Sequence, residues 1–158
     1  MSRYDPVPDF SHTVLLAVSG VHRGMMPAVK YARTMAQDVW AVYVEIDPAR
    51  TAELLERWGN WVPDVPLVVL ESPYRSLVDP LLRCIDRVDA ERVDDIVTVV
   101  IPEFVTEKWW TKVLHGHNGL LLKWALLFRP NVVVTNIPYR LDTSGRTEEP
   151  HVLTSRLK

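Results

Sequence analysis

The chain has 158 residues, 47% hydrophobic and 24% charged, the size and balance of one globular domain with room for a full core. Eighteen Lys and Arg against 20 Asp and Glu give a net charge of −2, so the clustered basic excess that a phosphate backbone demands is missing and no nucleic-acid partner is expected. The single cysteine, Cys84, excludes an intrachain disulfide and a thiolate metal cage, and its place in an apolar helical pattern predicts a buried, inert thiol in a reducing cytoplasm.

In chain order, residues 1–12, with Pro6 and Pro8, read as an N-terminal tail without a signal-peptide core. Residues 13–18 are the first apolar, β-branched run and predict a buried strand. The strand gives way to Ser19-Gly20-Val21-His22-Arg23-Gly24, after which Met25, Ala28, Val29, Ala32, Met35 and Ala36 recur on one helical face. A second strand is expected over residues 39–45, then a shorter, more charged helix over residues 49–60. Trp58 and Trp61, three apart, share one face by that spacing, whereas core packing is expected for Trp40.

The third strand, residues 66–71, runs into the turn Glu71-Ser72-Pro73-Tyr74-Arg75. Val78, Leu81, Leu82, Ile85 and Val88 form the next helical stripe, with Asp79 suited to its cap and Pro80 to its first turn. Residues 96–101 are the fourth strand, Leu120, Leu121, Trp124, Leu127 and Phe128 a further stripe, and residues 131–137 the last strand. Residues 142–158 are polar without apolar period and read as a flexible tail, leaving 13–141 as the domain. The longest apolar stretches, such as residues 124–128, fall far short of the ~20 residues that cross a bilayer.

Alternation of strand and helix with short connections predicts an α/β fold, three layers α/β/α around a five-stranded parallel sheet of order 3-2-1-4-5. In that order the winding reverses between strands one and four, and a crevice opens at their carboxyl ends. Residues 19–24 and 102–110 would line it. The second of these carries Pro102, Phe104, Trp109 and Trp110 and no glycine, so it is built for contact and not for cradling a phosphate in backbone amides.

The candidate ligand-binding set is Ser19, Gly20, His22, Arg23, Gly24, Tyr74, Arg75, Glu103 and His115. His22 and Arg23, with the amides of the following helix, offer charge-assisted bonds to a phosphate; a solvated turn is the competing reading. Tyr74 and Arg75 suit stacking on a base or holding a phosphate, or simply cap the next helix. Glu103 is a possible base, but no strained elbow surrounds Ser19 and no acid orients a histidine toward it, so no catalytic residue is expected. His115 and His117 flank Gly116 without a third ligand nearby; a helix start is expected there, and no metal or cofactor. At least one of Trp109 and Trp110 should lie at a contact, which points to a homodimer or a larger partner.

The loop 19–24 and the helix after it resemble the start of the universal-stress-protein fold. Ser19 stands where that fold usually carries an Asp against a nucleotide base, and the Gly-rich phosphate loop of its nucleotide-binding members is absent around residues 102–117. A narrower resemblance lies in residues 65–77, 97–105 with Trp109-Trp110, Leu114-His115, and residues 120–123 through 132–139. These look like the C-terminal cytoplasmic, universal-stress-protein-like domain of APC-superfamily permeases, a group that includes potassium importers and amino-acid permeases. The resemblance implies a non-enzymatic regulatory domain acting with a transmembrane transporter body, at the inner face of the plasma membrane. It also implies, for some potassium importers, control by cyclic di-AMP or another adenine nucleotide bound at a dimer crevice. The alternative is a free-standing universal stress protein that holds ATP or AMP in the same place.

Overall fold

The computed structural model describes residues 11–73, 78–92, 96–102 and 129–137. Five parallel strands, β1 (His12–Val18), β2 (Asp38–Glu45), β3 (Leu67–Glu71), β4 (Ile96–Pro102) and β5 (Val132–Ile137), form one sheet of order β3-β2-β1-β4-β5. This is the predicted order and class. Among the described residues three helices accompany them: α1 (Met26–Met35), entered through a 3-10 turn at Arg23–Met25, α2 (Pro48–Trp61) and α3 (Val78–Glu91). The expected strands, and the expected helices that fall on described residues, match these to within about three residues at each end, the usual blur where helices fray and strands run into turns; the helix expected over the stripe from Leu120 to Phe128 lies outside the described residues. β1 already includes His12, the last residue of the stretch read as tail.

Side-chain alternation divides the core in two. Val14, Leu16 and Val18 of β1 pack with Ala28, Val29 and Ala32 of α1 and with Leu54 and Trp58 of α2. Leu15, one step out of phase, packs on the opposite face with Leu81, Ile85 and Val88 of α3. Helices that join strands wound toward β3 therefore share one face, and the helix that carries the chain back from β3 to β4 takes the other, as right-handed crossovers require. Strands covered on both sides need apolar residues at every position, which is why β1 from Thr13 to Val18 is buried throughout.

Local signals hold the ends of these elements. Asp47 caps α2, its carboxylate accepting from the Ala49 amide at 3.1 Å, and Pro48 follows where no N–H is needed. The buried stripe of α2 runs Thr51, Leu54, Trp58. Its next core position is taken by Val62, 1% exposed, so Trp61 at the helix end is 44% exposed instead of sharing the buried face of Trp58. Trp58 Nε1 donates to the Val65 carbonyl at 2.8 Å. Asp79 lies in the first turn of α3. Asn131 takes φ 67, a left-handed conformation that asparagine tolerates, and its carbonyl accepts from the Val97 amide at 2.9 Å, setting the start of β5 against β4. Trp40 and Cys84 are half-buried at the margin of the α3-side core, less enclosed than their apolar patterns predict.

Candidate functional site

β1 is the strand at which the winding reverses, with β2 on one side and β4 on the other. Because Leu16 pairs with Val100, β1 and β4 end level, Val18 beside Pro102. Ser19 and Gly20 leave β1 half-buried, Val21 turns into the core, and His22 and Arg23 stand exposed. Gly24 and Met25 are buried again beneath them. His22 is extended (φ −152, ψ 163) and its carbonyl accepts from the Met25 amide at 3.0 Å, so the chain folds back directly into the 3-10 turn and α1. The first turn of α1 contains Pro27, which removes one of the amides that could face an anion. The loop thus offers the guanidinium of Arg23 and the His22 ring more than a helix N-terminus.

Of the other candidate residues, Tyr74, Arg75, Glu103 and His115 lie outside the described residues, as do Trp109, Trp110 and the stripe ending at Phe128. Ser72 and Pro73, just before Tyr74, follow the edge strand β3, two strands from β1. At ~4.8 Å per strand that is about 10 Å from the loop of His22. Among the described residues no three His, Cys, Asp or Glu side chains gather as a metal site. Nor is any described helix long and apolar enough to cross a membrane.

The opposite, amino edge of the sheet carries a denser polar structure. On the α1 face, His12 Nδ1 bonds the Met35 carbonyl at 3.1 Å and Nε2 bonds Thr98 Oγ1 at 2.7 Å. A carbonyl only accepts, so Nδ1 bears a proton, and in the neutral ring Nε2 accepts from the Thr98 hydroxyl. On the α3 face, Arg92 donates to Thr13 Oγ1 at 2.9 Å, pairs with the Asp38 carboxylate, and lies 5.8 Å over the Trp40 ring. Trp40 Nε1 donates to Asp38 at 2.6 Å. Thr13 and Thr98 are both buried, so each network gives a core hydroxyl its partner.

Beside the first network is an open groove of about 470 Å³ between the end of α1 and the start of β3, lined by Arg33, Met35, Gln37, Val39, Asp64 and Val65 among others. An ion pair between Arg33 and Asp64 crosses its rim. Sequence reading missed this end. Its only signals were hydroxyl and carboxyl residues at strand starts, and the Asp38, Trp40 spacing that puts both on one face of β2.

The family model described as "KimA potassium transporter C-terminal domain" matches residues 10–139. The chain belongs to this family. It is also 32% identical over 128 residues to "Potassium transporter KimA" of Bacillus subtilis (strain 168). That alignment takes in 80% of the chain but 21% of the relative, so the chain spans about a fifth of the length of the curated protein it matches. The KimA C-terminal domain match begins just before His12 and ends just after Ile137, and so encloses all five strands. Both polar networks and the loop of His22 and Arg23 fall inside it.

Proposed function

We propose that this chain is a non-enzymatic regulatory domain of, or acting with, a KimA-type potassium transporter, on the cytoplasmic side of the membrane. Its ligand is an adenine-nucleotide second messenger such as cyclic di-AMP, held at the carboxyl ends of β1 and β4. One observation carries this reading: in a chain of the KimA C-terminal domain family, an exposed Arg23 beside His22 stands at the point where the sheet reverses its winding, the usual ligand position of an open α/β fold. A ligand with two phosphates gains most when loops from two copies meet across a two-fold axis, so a homodimer is part of the proposal. The absence of an elbow around Ser19 supports binding without catalysis.

The test is titration of cyclic di-AMP into the chain and into Arg23→Ala. An exposed charge-assisted bond contributes about 1.5 kcal/mol, so the variant should bind at least roughly tenfold more weakly. Equal binding by both proteins rejects the site. No binding to the unaltered chain rejects the ligand. A second reading, a free-standing ATP- or AMP-binding protein, rests on the likeness of the 19–24 loop to universal stress proteins. ATP binding at low micromolar strength, about −8 kcal/mol, would favour it.

A further inference from the structure

We infer that Glu45, at the carboxyl end of β2, makes the site specific for ribose by accepting a hydrogen bond from a 2′-hydroxyl; this rests on the reading that an adenine nucleotide binds above β1. Side-chain alternation sets the geometry. Val39, Ala41 and Tyr43 of β2 pack in the core beneath α1 and α2, so Glu45, two residues on, takes the same face of the sheet. Val18 pairs with Tyr43, which puts Glu45 about 7 Å beyond the level at which β1 ends. The loop of His22 and Arg23 turns over that same face into α1, whose Ala28, Val29 and Ala32 pack on it. β1, α1 and β2 thus have the layout of the mononucleotide-binding half of a doubly wound sheet. In that layout the phosphate lies above a glycine-bearing loop after the first strand, and an acidic residue about 20 positions farther on, at the end of the second strand, takes the ribose. Glu45 follows the buried Gly24 by 21 residues.

Chemistry selects Glu45 from its acidic neighbours. Asp47 is occupied, its carboxylate capping α2 at the Ala49 amide and lying 3.8 Å from Arg50. Glu71 pairs in register with Glu45, but it stands exposed on the edge strand β3, one strand farther from β1, whereas Glu45 is half-buried. Like charges side by side repel, and among the described residues neither carboxylate has an ion pair or a side-chain hydrogen bond. A ribose hydroxyl supplies the missing donor without adding negative charge. The two ends of the site then orient the nucleotide: its phosphate is drawn to Arg23 over β1 and repelled by Glu45 over β2, so the sugar and not the phosphate faces β2.

The test titrates cyclic di-AMP and its bis-2′-deoxy analogue into the chain, into Glu45→Ala and into Glu45→Gln. A fully buried site built to bond a hydroxyl rejects the analogue lacking it by about ten-thousandfold; for a half-buried acceptor the expected preference of the unaltered chain is at least about tenfold. In Glu45→Ala the preference falls to within about twofold, and the deoxy analogue binds at least as tightly as to the unaltered chain, because a carboxylate that repels phosphate is gone. Glu45→Gln has the same shape and keeps an acceptor without the charge, so its preference falls between the two. Each preference is a ratio within one protein, which a lower folded fraction or a general loss of affinity leaves unchanged. Equal binding of both ligands by the unaltered chain overturns the inference while the nucleotide reading stands. A preference that survives intact in Glu45→Ala overturns it too. If the unaltered chain binds neither ligand, the nucleotide reading itself fails and this inference with it.

Discussion

Replacing Arg92 by methionine keeps most of the side-chain stem and removes the guanidinium that ties the end of α3 to β1 and β2. Arg92 and Asp38 are 34% and 33% exposed, midway between two regimes. A fully exposed pair contributes at most about 1 kcal/mol, whereas breaking a buried one costs about 3–5 kcal/mol. The bond to the buried Thr13 hydroxyl contributes about 1 kcal/mol and the stacking on Trp40 about 0.5 kcal/mol. One guanidinium makes all three contacts, so the contributions overlap and the expected loss is about 2–3 kcal/mol. In a domain of this size it corresponds to a fall in Tm of about 5–10 °C, read by circular dichroism. A double-mutant cycle with Asp38→Asn should return a coupling of about 1 kcal/mol or more. A fall in Tm below about 1 °C, or full rescue by Arg92→Lys, which lacks the planar fork, would refute the reasoning.

Trp58→Phe leaves the Val65 carbonyl without its indole donor and a small void in the α1/α2 core, so unfolding in urea should occur about 2 kcal/mol more easily; an unchanged midpoint would show that the bond contributes nothing net. Burial pushes the Cys84 thiol above its ordinary value, with nearby Arg87 pulling part of the way back. At pH 8 the folded chain should therefore react with Ellman's reagent at least about tenfold more slowly than the chain in denaturant, and equal rates would contradict the burial argument. The same shift favours the neutral thiol in the fold, so its contribution to stability is present below the unfolded thiol's value and is lost as pH rises through the folded one. In solution, light scattering should give twice the 18.1 kDa mass of one chain; a strictly monomeric mass at high concentration would remove the dimer from the proposal.

How far function can be read along the chain depends on which end of the sheet is asked. The loop at the carboxyl end of β1 is contiguous, so Ser19, Gly20, His22, Arg23 and Gly24 could be named in advance, and the structure places His22 and Arg23 exposed above a buried Gly24 and Met25. The amino-edge networks join Thr13 to Arg92 and His12 to Thr98, residues about 80 positions apart. No local period or motif links such pairs, because the contacts arise only when strands from distant parts of the chain lie side by side.

What the sequence determined by itself is the set of elements and their winding. Short apolar runs rich in β-branched residues read as strands covered on both faces, helical stripes supply the cover, and right-handed crossovers leave β3-β2-β1-β4-β5 among very few orders. Packing decided the rest. Trp58 and Trp61 carry the same side chain three residues apart, yet one is buried and the other is not, because Val62 fills the next core position. His12 looked like the end of a tail, and it is a bridge between α1 and β4 only because β4 brings Thr98 to its ring. Periodicity records which face a residue takes along its own element; what that face meets is set by the neighbours that the fold supplies.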